Sequence, residues 1–465
     1  MSTSPSSPSA PTGGSAGPSL YRLIWRWHFY AGLFCVPFVL WLAVTGSIYV
    51  FHPQLDALFD RPYNHVDASA PRRPVSEQVQ AALATVPGAV LNAYQLPAGP
   101  IASAQVLVGK RNDLKRVYVD PVTAKVLHAM PEDHRFTQRV FHLHGELLMG
   151  AFGSALVELA ACWTIVMLLS GLYLWWPRGR RLAGVLYPRL AQSGRVFWRD
   201  LHAVTGVWIS VLALFLLFTG LPWAKFWGGE LKQVRHWVAA NAPQQDWTTG
   251  RASELALRRA RNTPVSDEHA GMPGMGASGA SASPHAPLNY TPMNRIVPVV
   301  QAMQLPPPVL ISPPSSAMPH WSARSDTPDR PERVELAFDP SSGQMLSRRG
   351  FAQRPLLDRI IGYGIAAHEG QLFGLANQLL SVFTALGLIT LSTSGLVLWW
   401  RRRPQGQLGA PSAASGGRVP LAIKILIVLL CIYLPLLGAS LVLVWLFERL
   451  VLSRIASTRR FLGLT

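Results

Sequence analysis

The chain is poor in cysteine and poor in charge. Only three of its 465 residues are cysteine, Cys35, Cys162 and Cys431, and each lies inside a long apolar run. The aqueous segments therefore hold no thiol and no possible disulfide. No CxxC occurs, which excludes a zinc ribbon, a thioredoxin-like site and Cys-ligated iron–sulfur chemistry. Charged residues make up 14% of the chain, against roughly 25% in soluble domains. No P-loop, GxGxxG or helix-turn-helix pattern appears. The low charge argues against a soluble globular enzyme. The hydrophobic share of 49%, with 16 Trp, argues against disorder. What remains is a membrane protein with substantial aqueous parts.

Apolar runs long enough for a bilayer core of roughly 30 Å occur five times. They fall near Phe29–Phe51, Phe152–Trp176, Val204–Trp223, Leu375–Trp400 and Leu421–Phe447. Residues 1–19 are Ser/Pro/Gly-rich and read as a disordered tail. The first run is too long for a signal-peptide core and lacks a cleavage site, so it reads as a retained anchor.

Lys and Arg in the short loops set the orientation. Segment 177–201 has six Arg and one acid, and segment 401–420 has four Arg and no acid; these are inside. Loop 53–149 has ten basic and nine acidic residues, and loop 224–367 has fifteen and eleven; these are outside. Five spans then put the C-terminus outside, although the tail 449–465 carries four Arg, against the rule. The net charge of +18 is mostly this topological signal. Nothing resembles a nucleic-acid-binding face, so membrane lipid is the expected surroundings and nucleic acid is not an expected partner.

The chain repeats itself. His28 is followed by Gly32 and by Thr45-Gly46, and His202 by Gly206 and Thr219-Gly220, with the same spacings. Ser170-Gly171-Leu172 leads to Trp175-Trp176, and Ser394-Gly395-Leu396 to Trp399-Trp400. Counting back 31 residues from the first Trp reaches His144 in one copy and His368 in the other. Each external loop also carries an Asp-Pro-x-Ser/Thr turn between alternating apolar residues, at Asp120 and Asp339, which is a hairpin signal. The unit is span, external α+β domain, span, used twice in parallel, with a fifth span added. Matched residues then share a depth.

His28 and His202 fall at the inner end, His144 and His368 at or above the outer end. Two neutral imidazoles across a bundle can supply both axial ligands of a haem iron. One such pair at each face predicts two haems, because one alone leaves a long gap in a core about 30 Å thick. A continuous helix of 31 residues would carry the outer histidines roughly 46 Å from the Trp pair. The small residues Gly32, Gly206, Gly145 and Gly370 are expected to admit a flat macrocycle. Structural pairing with backbone carbonyls is the competing reading. His142 and His52 are weaker outer candidates without a repeat partner. Glu158 lies within the second span, where an acid is costly; it is read as a proton carrier, a haem-tuning group or a hydrogen-bonded structural acid. In the second loop His269, Met272, Met275 and His285 suit copper inside a Gly/Ala/Ser/Pro stretch that also reads as a variable loop, with Met293, Met318 and His320 further on.

In combination, these motifs resemble the PepSY-associated transmembrane family, also called the iron-regulated membrane protein family, over about residues 20–405. The resemblance implies a membrane α-helical bundle of about five transmembrane helices with two periplasmic α+β PepSY-like domains and an internal parallel repeat. With the apolar runs and the repeat, the spans are expected at 20–52, 144–176, 202–223, 368–400 and 421–448. The PepSY-like domains are 53–143 and 224–367, and the basic cytoplasmic loops are 177–201 and 401–420. Some members look like ferric-siderophore reductases with haem b in the bacterial inner membrane, and His28, His202, His144 and His368 fall on the family's motif histidines. The implied partners are a ferric siderophore or other ferric chelate and, with no NAD or flavin fingerprint, a quinol or soluble electron donor. The alternatives are a non-enzymatic PepSY protein regulating periplasmic proteins, and periplasmic copper handling. Ala124 stands where the first hairpin usually has Gly.

Overall fold

The computed structural model describes residues 17–177, 182–238, 289–315, 318–411 and 419–463. They fall into two compact units, divided within the long helices: the segments up to Leu40, Leu159–Leu214 and from Gly387 onward, and the segments Trp41–Glu158 and Phe215–Leu386.

Helix α1 (Gly17–Tyr49) is apolar almost throughout and contains Pro37. The short α2 (His52–Asp60) and α3 (Val75–Ala84) follow. Strands β1 (Val90–Gln95), β2 (Ala104–Lys110), β3 (Asp113–Val119) and β4 (Val126–Pro131) then form an antiparallel meander. After α4 (Phe136–Glu146) come the long helices α5 (Ala151–Trp175) and α6 (Gly194–Gly220), then α7 (Trp227–Val238). The second loop repeats the order of the first. Helix α8 (Met293–Ala302) precedes β5 (Val309–Ser312), β6 (Trp321–Ser325), β7 (Val334–Phe338) and β8 (Met345–Gly350). Helices α9 (Leu356–His368), α10 (Leu375–Arg402), α11 (Leu421–Tyr433), α12 (Pro435–Leu450) and α13 (Ala456–Leu462) complete the chain.

Four helices, Leu20–Tyr49, Ala151–Trp175, Gly194–Trp223 and Leu375–Arg402, are long and apolar enough to cross a membrane. Two of the span helices begin only after His144 and His368. His144 and His368 sit on the separate helices α4 and α9, so the continuous helices expected over 144–176 and 368–400 are each broken. Leu147, Leu148 and Gly150 take positive φ between α4 and α5, and Gly370 and Gly374 do so between α9 and α10. A left-handed residue cannot continue a right-handed helix. The fifth apolar segment is α11 and α12, bent by 116° at Leu434. Pro435 has no N–H to donate and holds the residue before it extended.

The eight strands form one sheet in the order β4-β3-β2-β1-β5-β6-β7-β8. Tyr94 and Gln95 of β1 pair with Ile311 and Leu310 of β5, joining four strands from each loop. α3 and α8 supply apolar residues to the same core, where Val79, Val106, Met293, Ile311, Trp321 and Phe338 are buried together. Both hairpin turns form as the Asp-Pro signal predicts. Asp120 accepts from Val122 N–H and the Thr123 hydroxyl, and Asp339 from Ser341 and Ser342. Those bonds hold the Asp339 carboxyl well below the usual carboxylate range. The left-handed position falls at Ala124 in the first turn and Gly343 in the second. Arg116 of β3 is buried and donates to both oxygens of Glu132, each at 2.7 Å.

Candidate functional site

The sequence places a histidine near the start of α1 and another near the start of α6. The first unit brings His28 and His202 together, with ring centroids 6.3 Å apart and planes at 83°. Two metal–imidazole bonds of about 2 Å each, plus ~1 Å from each ring nitrogen to its centroid, separate two rings on one metal by roughly 6 Å. His28 Nδ1 lies 3.0 Å from the Met167 carbonyl, and His202 Nδ1 lies 3.0 Å from the Leu391 carbonyl. A carbonyl only accepts, so each Nδ1 carries the proton. In a neutral ring, Nε2 then keeps its lone pair. Ser170 and Ser394 hydroxyls lie 3.1 and 3.3 Å from the same nitrogens.

Glycine makes room for both rings. A Cβ on Gly171 would stand 3.1 Å from His28 Cε1, and one on Gly395 would stand 3.2 Å from His202 Cε1. A cavity of 530 Å³ is lined by both histidines and by Gly32, Gly171, Gly206 and Gly395. Trp25, Phe29, Trp175 and Trp399 add apolar wall, and Arg195, Arg199 and Arg402 add positive charge. The Arg402 guanidinium stacks over Trp25 and Phe29, at 4.8 and 5.5 Å from the ring centres.

The second unit holds the other pair. His144 and His368 have ring centroids 6.5 Å apart with planes at 71°. Thr45 Oγ1 donates to the Trp41 carbonyl at 2.8 Å and lies 3.0 Å from His144 Nδ1. Thr219 Oγ1 donates to the Phe215 carbonyl at 2.7 Å and lies 3.1 Å from His368 Nδ1. With each hydroxyl proton committed to a carbonyl, the threonine accepts from Nδ1–H. The lone pair again falls on Nε2. Among the described residues, the hydrogen bonds of all four rings run through Nδ1 and none reaches Nε2. Gly46 and Gly220 lie against these rings as Gly171 and Gly395 do against the first pair, with a Cβ on either 3.1 Å from the imidazole Cε1. Burial, then the neighbouring His368, lowers the His144 pKa to about 4. Burial lowers that of His368, against the raising effects of Glu369 and of the Leu216 carbonyl. Both rings are neutral at pH 7, the form that ligates metal.

The remaining candidates have other neighbours. His142 is buried with Nδ1 3.2 Å from Glu146 Oε2. His52 stacks on Tyr49 at 4.7 Å. Glu158 accepts from the backbone N–H groups of Phe226 and Trp227, at 2.7 and 3.0 Å, and so caps the start of α7. Gly145 faces open space, and Gly370 abuts Val50. Met293 is a core residue. His269, Met272, Met275 and His285 lie outside the described residues. Among the described residues no group of three or more His, Cys, Asp or Glu could hold a metal ion. The serines, threonines and glycines around the rings were visible as repeated motifs, but nothing in their spacing assigns them to the histidines.

Two facing imidazole pairs, on or beside helices of span length, mark a multi-pass membrane protein built around paired histidines. The family model for the PepSY-associated TM region matches residues 25–402. The chain belongs to that family. No curated protein matches it.

Proposed function

We propose that this protein is a haem b reductase of the bacterial inner membrane that moves electrons across the bilayer to a ferric chelate, such as a ferric siderophore, at the periplasmic face. One observation carries the reading above the others. In all four histidines Nδ1 is committed to a backbone carbonyl or a threonine, so Nε2 of each is the free donor. Fixing the tautomer through the distal nitrogen is how metal-bound imidazoles are held.

His28 and His202 would hold one haem, and His144 and His368 the other. Haem held by two imidazoles supplies one-electron transfer. The chain does the rest. Its glycines keep the backbone clear of the rings, and its aromatic side chains wall the cavity beside the first pair. Arg195, Arg199 and Arg402 line the same cavity and complement the carboxylates of a haem. Seventeen residues of α1 separate His28 from Thr45, about 25 Å of helix.

The donor is a quinol or a soluble partner. A quinol gives up two electrons and releases two protons, and each ferric ion takes one electron. Iron(II) binds hard oxygen ligands less tightly, so the metal leaves its chelator. The test is the absorption spectrum of the purified protein, expressed with haem supplied, before and after dithionite. A Soret band that shifts on reduction is expected. His202→Ala and His368→Ala should each remove a different half of the haem. A colourless, folded protein would overturn the reading, and one that also lowers protease activity would support the regulatory alternative.

A further inference from the structure

We propose that α11 and α12 form a re-entrant helical hairpin rather than a fifth span, so that the C-terminal segment lies on the same side of the membrane as the Arg-rich loops. Haem plays no part in this. The bend of 116° exceeds a right angle, so α12 turns back along the direction of α11. Their 13 and 16 residues give about 20 and 24 Å of helix, each short of the roughly 30 Å core.

Four contacts within the first unit fix the path. The Trp163 indole donates to Ser440 Oγ at 3.1 Å. Trp163 is the midpoint of α5, and Ser440 lies in the second turn of α12, so the hairpin tip sits at mid-span. Leu434 and Leu437 at the tip are 1% and 2% exposed. Arg26 donates to the Pro411 carbonyl, which ties the loop after α10 to the start of α1. Beyond the hairpin, Leu408 N–H donates to the Phe461 carbonyl at 2.9 Å, and the Tyr30 hydroxyl donates to the Leu462 carbonyl.

A single span would carry Phe461 to the far side, about 30 Å from Leu408. The hairpin brings them into hydrogen-bond contact. It also turns the four arginines of residues 449–465 from an exception to the positive-inside rule into a case of it. The two arms meet at the return: a Cβ on Gly438 would stand 3.4 Å from Cys431 Cβ, in van der Waals contact.

The test uses the full chain in its native membrane with its three cysteines replaced by serine. Ser457→Cys is exposed to a membrane-impermeant maleimide in spheroplasts and in inside-out vesicles. Ser193→Cys, between α5 and α6, and Ala68→Cys, beyond the far end of α1, mark the two sides. Ser457→Cys labelling from the side of Ser193→Cys is the expected result, and labelling from the side of Ala68→Cys overturns it. A C-terminal epitope tag on the unsubstituted chain gives the second measurement. Its proteolytic removal only from the Ser193 side supports the hairpin, and its removal from the Ala68 side overturns it whatever the cysteine variants do.

Discussion

Thr219 accepts the Nδ1 proton of His368 because its own hydroxyl proton is already given to the Phe215 carbonyl. Thr219→Val keeps the shape and removes the acceptor. Loss of such a partner costs about 10–100-fold in metal-centre affinity. Haem titration of the variant should show that weakening at one of two centres, and Thr219→Ser should restore it; equal retention at both centres would contradict the assignment. At the first pair, Gly171→Ala forces a Cβ to 3.1 Å of His28 Cε1. The ring must shift by a few tenths of an ångström. The low-temperature spectrum of one centre should move while the other stays in place. The histidines themselves were legible, because equal spacings in two copies single them out. Their partners were not. Met167 is 139 residues from His28, and no local periodicity records that adjacency.

Among the elements, the Asp-Pro turns show a sequence signal that the backbone obeys and a cost that it exposes. Ala124 holds φ at 56° where Gly343 holds 71°. An L-residue with a Cβ is strained there by about 1–2 kcal/mol, and glycine's extra unfolded entropy offsets part of that. Ala124→Gly should therefore stabilise the protein by about 0.5–1 kcal/mol, read as a higher midpoint of thermal unfolding in detergent. Arg116→Met has the opposite sign. It strips a buried carboxylate, Glu132, of its closest cation, and breaking such a pair costs about 3–5 kcal/mol. A midpoint that does not move would show that Arg135, 3.9 Å from the same carboxylate, takes over the charge. The break before α10 had a signal in Gly370 and Gly374, whereas at the break before α5 Leu147 and Leu148 carry no turn signature, yet take φ of 52° and 57°.

For the molecule as a whole, the pairing of β1 with β5 makes the two loops one folding unit, because Ile311 packs in a core fed by both. Ile311→Ala should cost about 2–5 kcal/mol. Limited proteolysis should then open residues 53–135 and 289–355 together. Cleavage confined to the second loop would show that the halves unfold separately.

The membrane class, the family, five apolar runs of which four are span-length helices, both hairpins and the matched spacing of the four histidines were all written in the order of residues. Each of these rests on composition or on short-range spacing, which a chain carries before it folds. Folding had to settle which nitrogen of each ring is free, that eight strands form one sheet, and that the last apolar run is sharply bent. Those depend on groups far apart in the chain meeting in space: a carbonyl on another helix, a strand from the other loop, and a tryptophan at mid-span that receives the helix beyond the bend.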